Sequence, residues 1–267
     1  MKIVLYTSTN ANIIDQYNIF RLINERPQHT YYILSVTHQE NKKNPIRTFL
    51  SELKHGKNEW ARDSNKVLQN IGKKIKKEVQ NKVPIQYVSE VNGSESETII
   101  KEYRPDILLQ CGAGIIRENI FSIPKIGTIN VHHGYAPEIR GCNSLVWALY
   151  FGLTDLLGVT VHFIDKDLDT GPVIIQKKQE YNHADSYPTL YKNIIETGSN
   201  ILLEAIDKLK KYENKNQLLF EETSVKSYYF SWANYILHYN PLKKNNYLPL
   251  KNASNLKFKI KLKKVLA

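Results

Sequence analysis

Lys2-Ile3-Val4-Leu5-Tyr6-Thr7 opens the sequence as an apolar run of strand length, and the turn after it, Thr7-Ser8-Thr9-Asn10-Ala11-Asn12, holds no glycine. The next segment, Asn10 to Arg26, places Ile13, Ile14, Tyr17, Phe20 and Ile23 near helical spacing. Tyr31 to Val36 (YYILSV) then reads as a second strand. Strand, helix and strand in that order form a βαβ unit, which predicts a parallel sheet. In open sheets of this kind, sites form beyond the carboxyl ends of the strands. The glycine-free first turn offers neither a G-x-G-x-x-G dinucleotide fingerprint nor a P-loop. A dinucleotide-dependent dehydrogenase and a nucleoside triphosphatase are therefore disfavoured.

The pattern continues along the chain. Residues 45–80 read as interrupted helix, with Lys73, Lys74, Lys76 and Lys77 on a solvated face. Pro84 to Val88 reads as a third strand. Ser94-Glu95-Ser96-Glu97 fits a capping box at the start of a helix that runs through Tyr103. Strands follow at Asp106 to Gln110, Gly127 to His132, Gly158 to Ile164 and Pro172 to Gln176, with a helix over 144–151. Leu190, Ile194, Ile201, Leu202, Ile206 and Leu209 mark a long closing helix. The fold class expected is α/β: a Rossmann-like, mostly parallel sheet with flanking helices, plus a small C-terminal appendage containing a lysine-alternating strand.

Composition narrows the setting. The chain has 267 residues with 42% apolar and 10% aromatic content, which supplies a core and excludes intrinsic disorder. No apolar run is long enough to cross a bilayer, and the N-terminal run is too short for a secretory signal. Two cysteines, Cys111 and Cys142, make neither a disulfide scaffold nor a zinc site, so a reducing cytoplasm is the expected location. Of the net charge of +11, eight lysines after Pro241 supply +8, leaving +3 for the rest. A global basic field suited to nucleic acid is therefore not expected. Leu256-Lys257-Phe258-Lys259-Ile260-Lys261-Leu262-Lys263 alternates strictly and reads as an edge strand whose lysines discourage edge-to-edge pairing.

Chemistry concentrates between Gly127 and Gln176. In a strand Gly127-Thr128-Ile129-Asn130-Val131-His132, Asn130 and His132 project from one face with Cα atoms roughly 7 Å apart. A carboxamide donor and an imidazole aimed at one point suit an anionic tetrahedral intermediate. His133 falls on the opposite face, Arg140-Gly141 reads as a turn, and mid-strand His162 reads as structural. Asp165-Lys166-Asp167-Leu168-Asp169-Thr170-Gly171-Pro172 reads as an acidic loop. One of its carboxylates is expected to orient His132 and raise its pKa.

Asn130-Val131-His132-His133-Gly134, then Pro137 and Arg140-Gly141, then Val161-His162-Phe163-Ile164, Asp167-Leu168-Asp169-Thr170-Gly171-Pro172-Val173-Ile174 and Gln176, resemble in order and spacing the folate-dependent formyltransferase family, and most of all its nucleotide-sugar N-formyltransferases. The resemblance implies a catalytic triad of Asn130, His132 and Asp169. It implies 10-formyltetrahydrofolate as formyl donor, held by Gly114, Ile115, Ile116 and Arg117 and by Ile164, Asp165, Lys166 and Asp167, with no metal. It places the acceptor near His133, Gly134, Tyr135 and Arg140. Residues 1–210 would form the catalytic domain and 211–267 an extension on the substrate side or at a homodimer interface.

The same resemblance orders the acceptors. The segment after Glu222 is short for the tRNA-binding domain of methionyl-tRNA formyltransferases. The chain opens on its first strand, unlike the formyltetrahydrofolate hydrolases with their N-terminal regulatory domain. Glycinamide ribonucleotide transformylases carry a glycine-rich phosphate loop that Thr7 to Asn12 lacks. The expected acceptor is the primary amine of a dTDP- or UDP-linked amino-deoxysugar, for surface polysaccharide such as lipopolysaccharide O-antigen. The alternatives are an N-hydroxyornithine formyltransferase and a non-catalytic, nucleic-acid-binding relative. Neither a nucleic-acid partner nor a membrane span is expected.

Overall fold

The computed structural model of the protein describes residues 1–37, 75, 77–182, 184–185, 187–214, 220–230 and 259–266. Most of the predicted helix over 45–80, with Lys73, Lys74 and Lys76, lies outside these residues; 77–82 are helical.

β1 (Lys2–Ser8), α1 (Ile13–Glu25), β2 (Thr30–Val36), β3 (Ile85–Val88), α2 (Ser94–Tyr103) and β4 (Ile107–Cys111) build the first half, and β5 (Gly127–His132) follows a short helix α3 (Glu118–Phe121). These five strands are parallel, in the spatial order β3-β2-β1-β4-β5. Then come β6 (Ile139–Gly141), α4 (Ser144–Tyr150), β7 (Gly158–Phe163), β8 (Val173–Lys178) and α5 (Tyr187–Leu209). β7 and β8 extend the sheet antiparallel. The mostly parallel, Rossmann-like sheet expected from the sequence is the fold observed.

Both faces of the sheet are buried, which is why its central strands read as nearly continuous apolar runs. On β1 the alternation sends Ile3 and Leu5 into the layer that holds Leu22 of α1 and Ile201, Leu202 and Ile206 of α5. Val4 and Tyr6 enter the other layer with Ile100 of α2 and Ile120 of α3. α1 begins at Ile13 because the Asn12 side chain accepts hydrogen bonds from the backbone N–H groups of Ile14 (2.8 Å) and Asp15 (3.0 Å).

Three local expectations are corrected. α2 has Gly93 at its N-cap with no side-chain cap, so the capping box is not formed. Glu97 instead pairs with Lys101 and accepts from Asn119, while Ser96 donates to the Glu90 carbonyl. Arg140-Gly141 is not a turn but part of β6, which pairs in parallel with β9 (Phe220–Phe230) through Ile139↔Tyr228, Arg140↔Tyr229 and Gly141↔Phe230. The lysine-alternating strand is β10 (Lys259–Leu266), and it is not at an edge. It lies between β8, which it meets at Val265↔Val173, and β9, which it pairs antiparallel over eight residues. The predicted stretch from Leu256 to Phe258 lies outside the described residues.

Candidate active site

β5 sets Asn130 and His132 at the carboxyl end of the parallel sheet, as the two-residue period requires. β7 runs antiparallel beside it in a register that puts His162 opposite Asn130. The β7–β8 register shifts between Val161 and His162, an irregularity of the kind that re-aims a side chain beside a site. Asp169 has a left-handed backbone (φ 51°), a conformation that Asp tolerates better than most residues.

These turns bring four side chains together. His132 Nδ1 lies 3.5 Å from Asp169 Oδ2, and His162 Nε2 lies 3.6 Å from Asp169 Oδ1. Asn130 Nδ2 is 3.3 Å from His162 Nε2. His162 Nδ1 faces the Phe163 carbonyl at 2.8 Å, so that nitrogen carries a proton. Gly141 N–H donates to Asp169 Oδ2 at 2.9 Å. His132 Nε2 meets the Ile139 carbonyl at 3.0 Å, so that nitrogen is also a donor, and the Ser144 hydroxyl stands 3.4 Å from it. A Cβ on Gly134 would overlap His132 Nε2 and come within 2.7 Å of Ser144 Oγ. The turn can therefore pass the imidazole only as glycine.

Electrostatics corrects one expectation. Burial pushes the His132 imidazole below its ordinary pKa, and the nearby Asp169 carboxylate only opposes that shift. For Asp169, burial works upward, but attraction to His132 and His162 and the Gly141 N–H outweighs it and holds the carboxyl well below the usual range. His162, which the sequence suggested was structural, touches both Asn130 and Asp169. The signal that could have found it is the β5–β7 register, which is set by pairing between distant segments.

The two loops expected to hold the donor flank this cluster. Asn92 clamps the first: its Nδ2 donates to the Ile115 carbonyl (2.9 Å), and its Oδ1 accepts from Arg117 N–H (2.8 Å). Gln110 Nε2 reaches the Gly114 carbonyl at 3.3 Å. Ile116 is buried, whereas Ile115 is 69% exposed. In the second loop Ile164 N–H donates to the Thr128 carbonyl, and Asp165 Oδ1 accepts from Asp167 N–H and the Thr170 hydroxyl. Lys166 and Asp167 are exposed, and Leu168 is 47% exposed. Each loop thus carries one exposed aliphatic side chain beside fixed backbone groups.

A cavity of about 490 Å³ opens at this cluster, lined by Asn12, Asp15, Asn130, His132 and His133 and by Gln110 and Gly114 of the first loop among others. Gly134, Tyr135 and Arg140 are not among its lining residues. Arg140 is buried, donates to the Leu168 carbonyl (3.2 Å) and lies over the Tyr229 ring of β9 at 5.6 Å. Lys178 lies over the Tyr135 ring at 5.5 Å. Among the described residues no group of three or more His, Cys, Asp or Glu is arranged to hold a metal, and no helix is long and apolar enough to cross a membrane.

His133 supplies a test of burial. Its Nε2 is inaccessible and among the described residues has no hydrogen-bond partner, and desolvation lowers its pKa from 6.5 to about 4. The unfolded chain therefore binds the proton first as pH falls, so stability is full above about pH 6.5 and declines toward pH 4. His133→Leu is expected to flatten this slope by about 2 kcal/mol between pH 7.5 and 4.5, read from urea midpoints at both pH values. An unchanged slope would place the proton uptake elsewhere.

The fold is shared with solved formyltransferases. A solved sugar N-formyltransferase from a Shewanella species gives a TM-score of 0.52 over 86% of this chain and 76% of that one, at 17% identity. Glycinamide ribonucleotide transformylase 1 from Symbiobacterium toebii gives 0.56 over 83% and 91%, at 15% identity. At these identities the likeness is one of fold. The family model described as Formyl transferase matches residues 21–206, and the chain belongs to that family. A methionyl-tRNA formyltransferase from Kosmotoga olearia is 31% identical over 134 residues, which are 50% of this chain and 43% of that protein. The match thus spans less than half the length of that curated relative.

Proposed function

We propose that the protein transfers a formyl group from 10-formyltetrahydrofolate to the primary amine of a nucleotide-linked amino-deoxysugar, in the cytoplasm. The convergence of Asn130, His132 and Asp169 at the end of β5 carries this reading. Ile115 and Leu168, exposed on two backbone-rich loops, suit the flat apolar face of a pterin, and the loops' peptide groups suit its polar edge. A sugar N-formyltransferase among the fold neighbours supports the acceptor class. Residues 1–210 act as the catalytic unit, and in the extension that follows, β9 braces β6, with the extension serving the substrate side or a homodimer.

In the reaction the amine nitrogen attacks the formyl carbon. Asn130 Nδ2–H and His132 Nε2–H stabilise the developing oxyanion. The Ile139 carbonyl, 3.0 Å from Nε2, selects the neutral tautomer that keeps its proton there, so the lowered pKa of His132 does not remove this donor. That N–H donates to the Ile139 carbonyl, and in the reaction the formyl oxygen takes that place. Asp169 holds the ring and relays the amine's proton through water. The bond from the formyl carbon to the folate N10 then breaks, and N10 keeps the electron pair and takes a proton.

The experiment incubates the protein with 10-formyltetrahydrofolate and a panel of dTDP- and UDP-linked amino sugars, N-hydroxyornithine and methionyl-tRNA. A formyl mass increment on an amino sugar is expected. Reaction confined to hydroxyornithine or to methionyl-tRNA would overturn the sugar assignment.

A further inference from the structure

We infer that Asp15 receives the acceptor's amine in the cavity beside Asn130, binding it as the ammonium ion and taking a proton from it. This rests on the reading that the acceptor is a primary amine.

Asp15 lies in the first turn of α1, just beyond the carboxyl end of β1. A Cβ on Gly112 would stand 2.6 Å from Asp15 Oδ2, so the carboxylate lies directly against the end of β4. β4 pairs with β5 through Gln110↔Asn130, which puts Gly112 beside the stretch that carries Asn130 and His132. Asp15, Asn130 and His132 line one cavity of about 490 Å³.

The cavity gives this carboxylate nothing to pair with. Among the described residues no Lys or Arg lines it. The Asp15 backbone N–H is bonded to Asn12, but among the described residues no donor reaches its carboxylate. The titratable groups around it are Cys111 on β4, His132 and His133 at the end of β5, Cys142 after β6, and Tyr187 and Tyr191 on α5. Burial disfavours the charged form of both histidines, so neither is a ready counter-ion. Desolvation raises the Asp15 carboxyl to about 7. Asp15 is half-buried and desolvated; a carboxylate in that position without a partner is costly, and an ammonium ligand is the group that relieves it.

The proton balance is simple. R–NH3⁺ and the Asp15 carboxylate become R–NH2 and the Asp15 carboxylic acid. The freed lone pair attacks the formyl carbon, the attacking nitrogen loses its second proton to N10, and Asp15 later returns its proton to water.

The test uses the full chain and the acceptor that the panel identifies. Asp15→Asn is expected to raise the acceptor KM about 10- to 100-fold at pH 7 with the donor KM unchanged. The gap should narrow as pH rises and free amine accumulates. Calorimetry on the unmodified protein supplies a second measurement. The amino-sugar nucleotide should bind at least about tenfold tighter than the matching hydroxy-sugar nucleotide. Equal affinities, or an Asp15→Asn enzyme with the parent acceptor KM and pH profile, would overturn the assignment while leaving the transfer reaction intact. Failure of the unmodified protein to bind or formylate any amine in the panel would overturn both.

Discussion

His132→Ala is expected to fold normally and to transfer the formyl group at least about 100-fold more slowly than the parent. The ring supplies one of the two donors to the oxyanion, and alanine leaves that position empty. Asn130→Ala and Asp169→Ala should each reach a similar loss by different routes. Without Asn130 the other donor is gone, and His162 Nε2 loses the amide 3.3 Å away. Without Asp169 the two imidazoles lose the carboxylate between them. The three losses should not add, because the residues act on one transition state. Single-turnover formyl transfer followed by mass, with circular dichroism to verify the fold, reads all three. Near-parent transfer by His132→Ala would remove the imidazole from the mechanism.

The parts of this protein that were legible in its sequence share a physical cause. β1 and β4 are buried on both faces, so they announce themselves as apolar runs without help from distant chain. Asn130 and His132 could be paired because a strand's period of two is a local property. What could not be read depended on partners far along the chain. His162 enters the site only through its register against β5, and β10 leaves the sheet edge only because β9 and β8 flank it. Arg140-Gly141 becomes strand because β9 returns to pair with it. The sign of the His132 shift was misjudged for a related reason: the acidic loop is visible in sequence, but the burial that outweighs it is not. Asp15 gave no signal at all, since its desolvation comes from Gly112 and from a cavity assembled by widely separated segments.

Gly171→Ala should be strongly damaging. A Cβ there would overlap the Phe163 carbonyl oxygen and stand 2.7 Å from the carbonyl carbon. Neither atom belongs to a side chain that can rotate away. The crowded carbonyl is at the end of β7, and Phe163 N–H is bonded to the Pro172 carbonyl at 2.9 Å, so relief requires the two strands to part. Overpacking of this kind costs about 3 kcal/mol or more when backbone must move. Asp169 is two residues away, and its contacts to His132 and His162 are already 3.5 and 3.6 Å. A displacement that frees the methyl group would lengthen both. The expected outcome is a urea midpoint lowered by that amount together with a loss of transfer of at least about tenfold in the protein that remains folded. Parent-like stability and turnover would mean that the β7–β8 junction is not the rigid support that Asp169 needs.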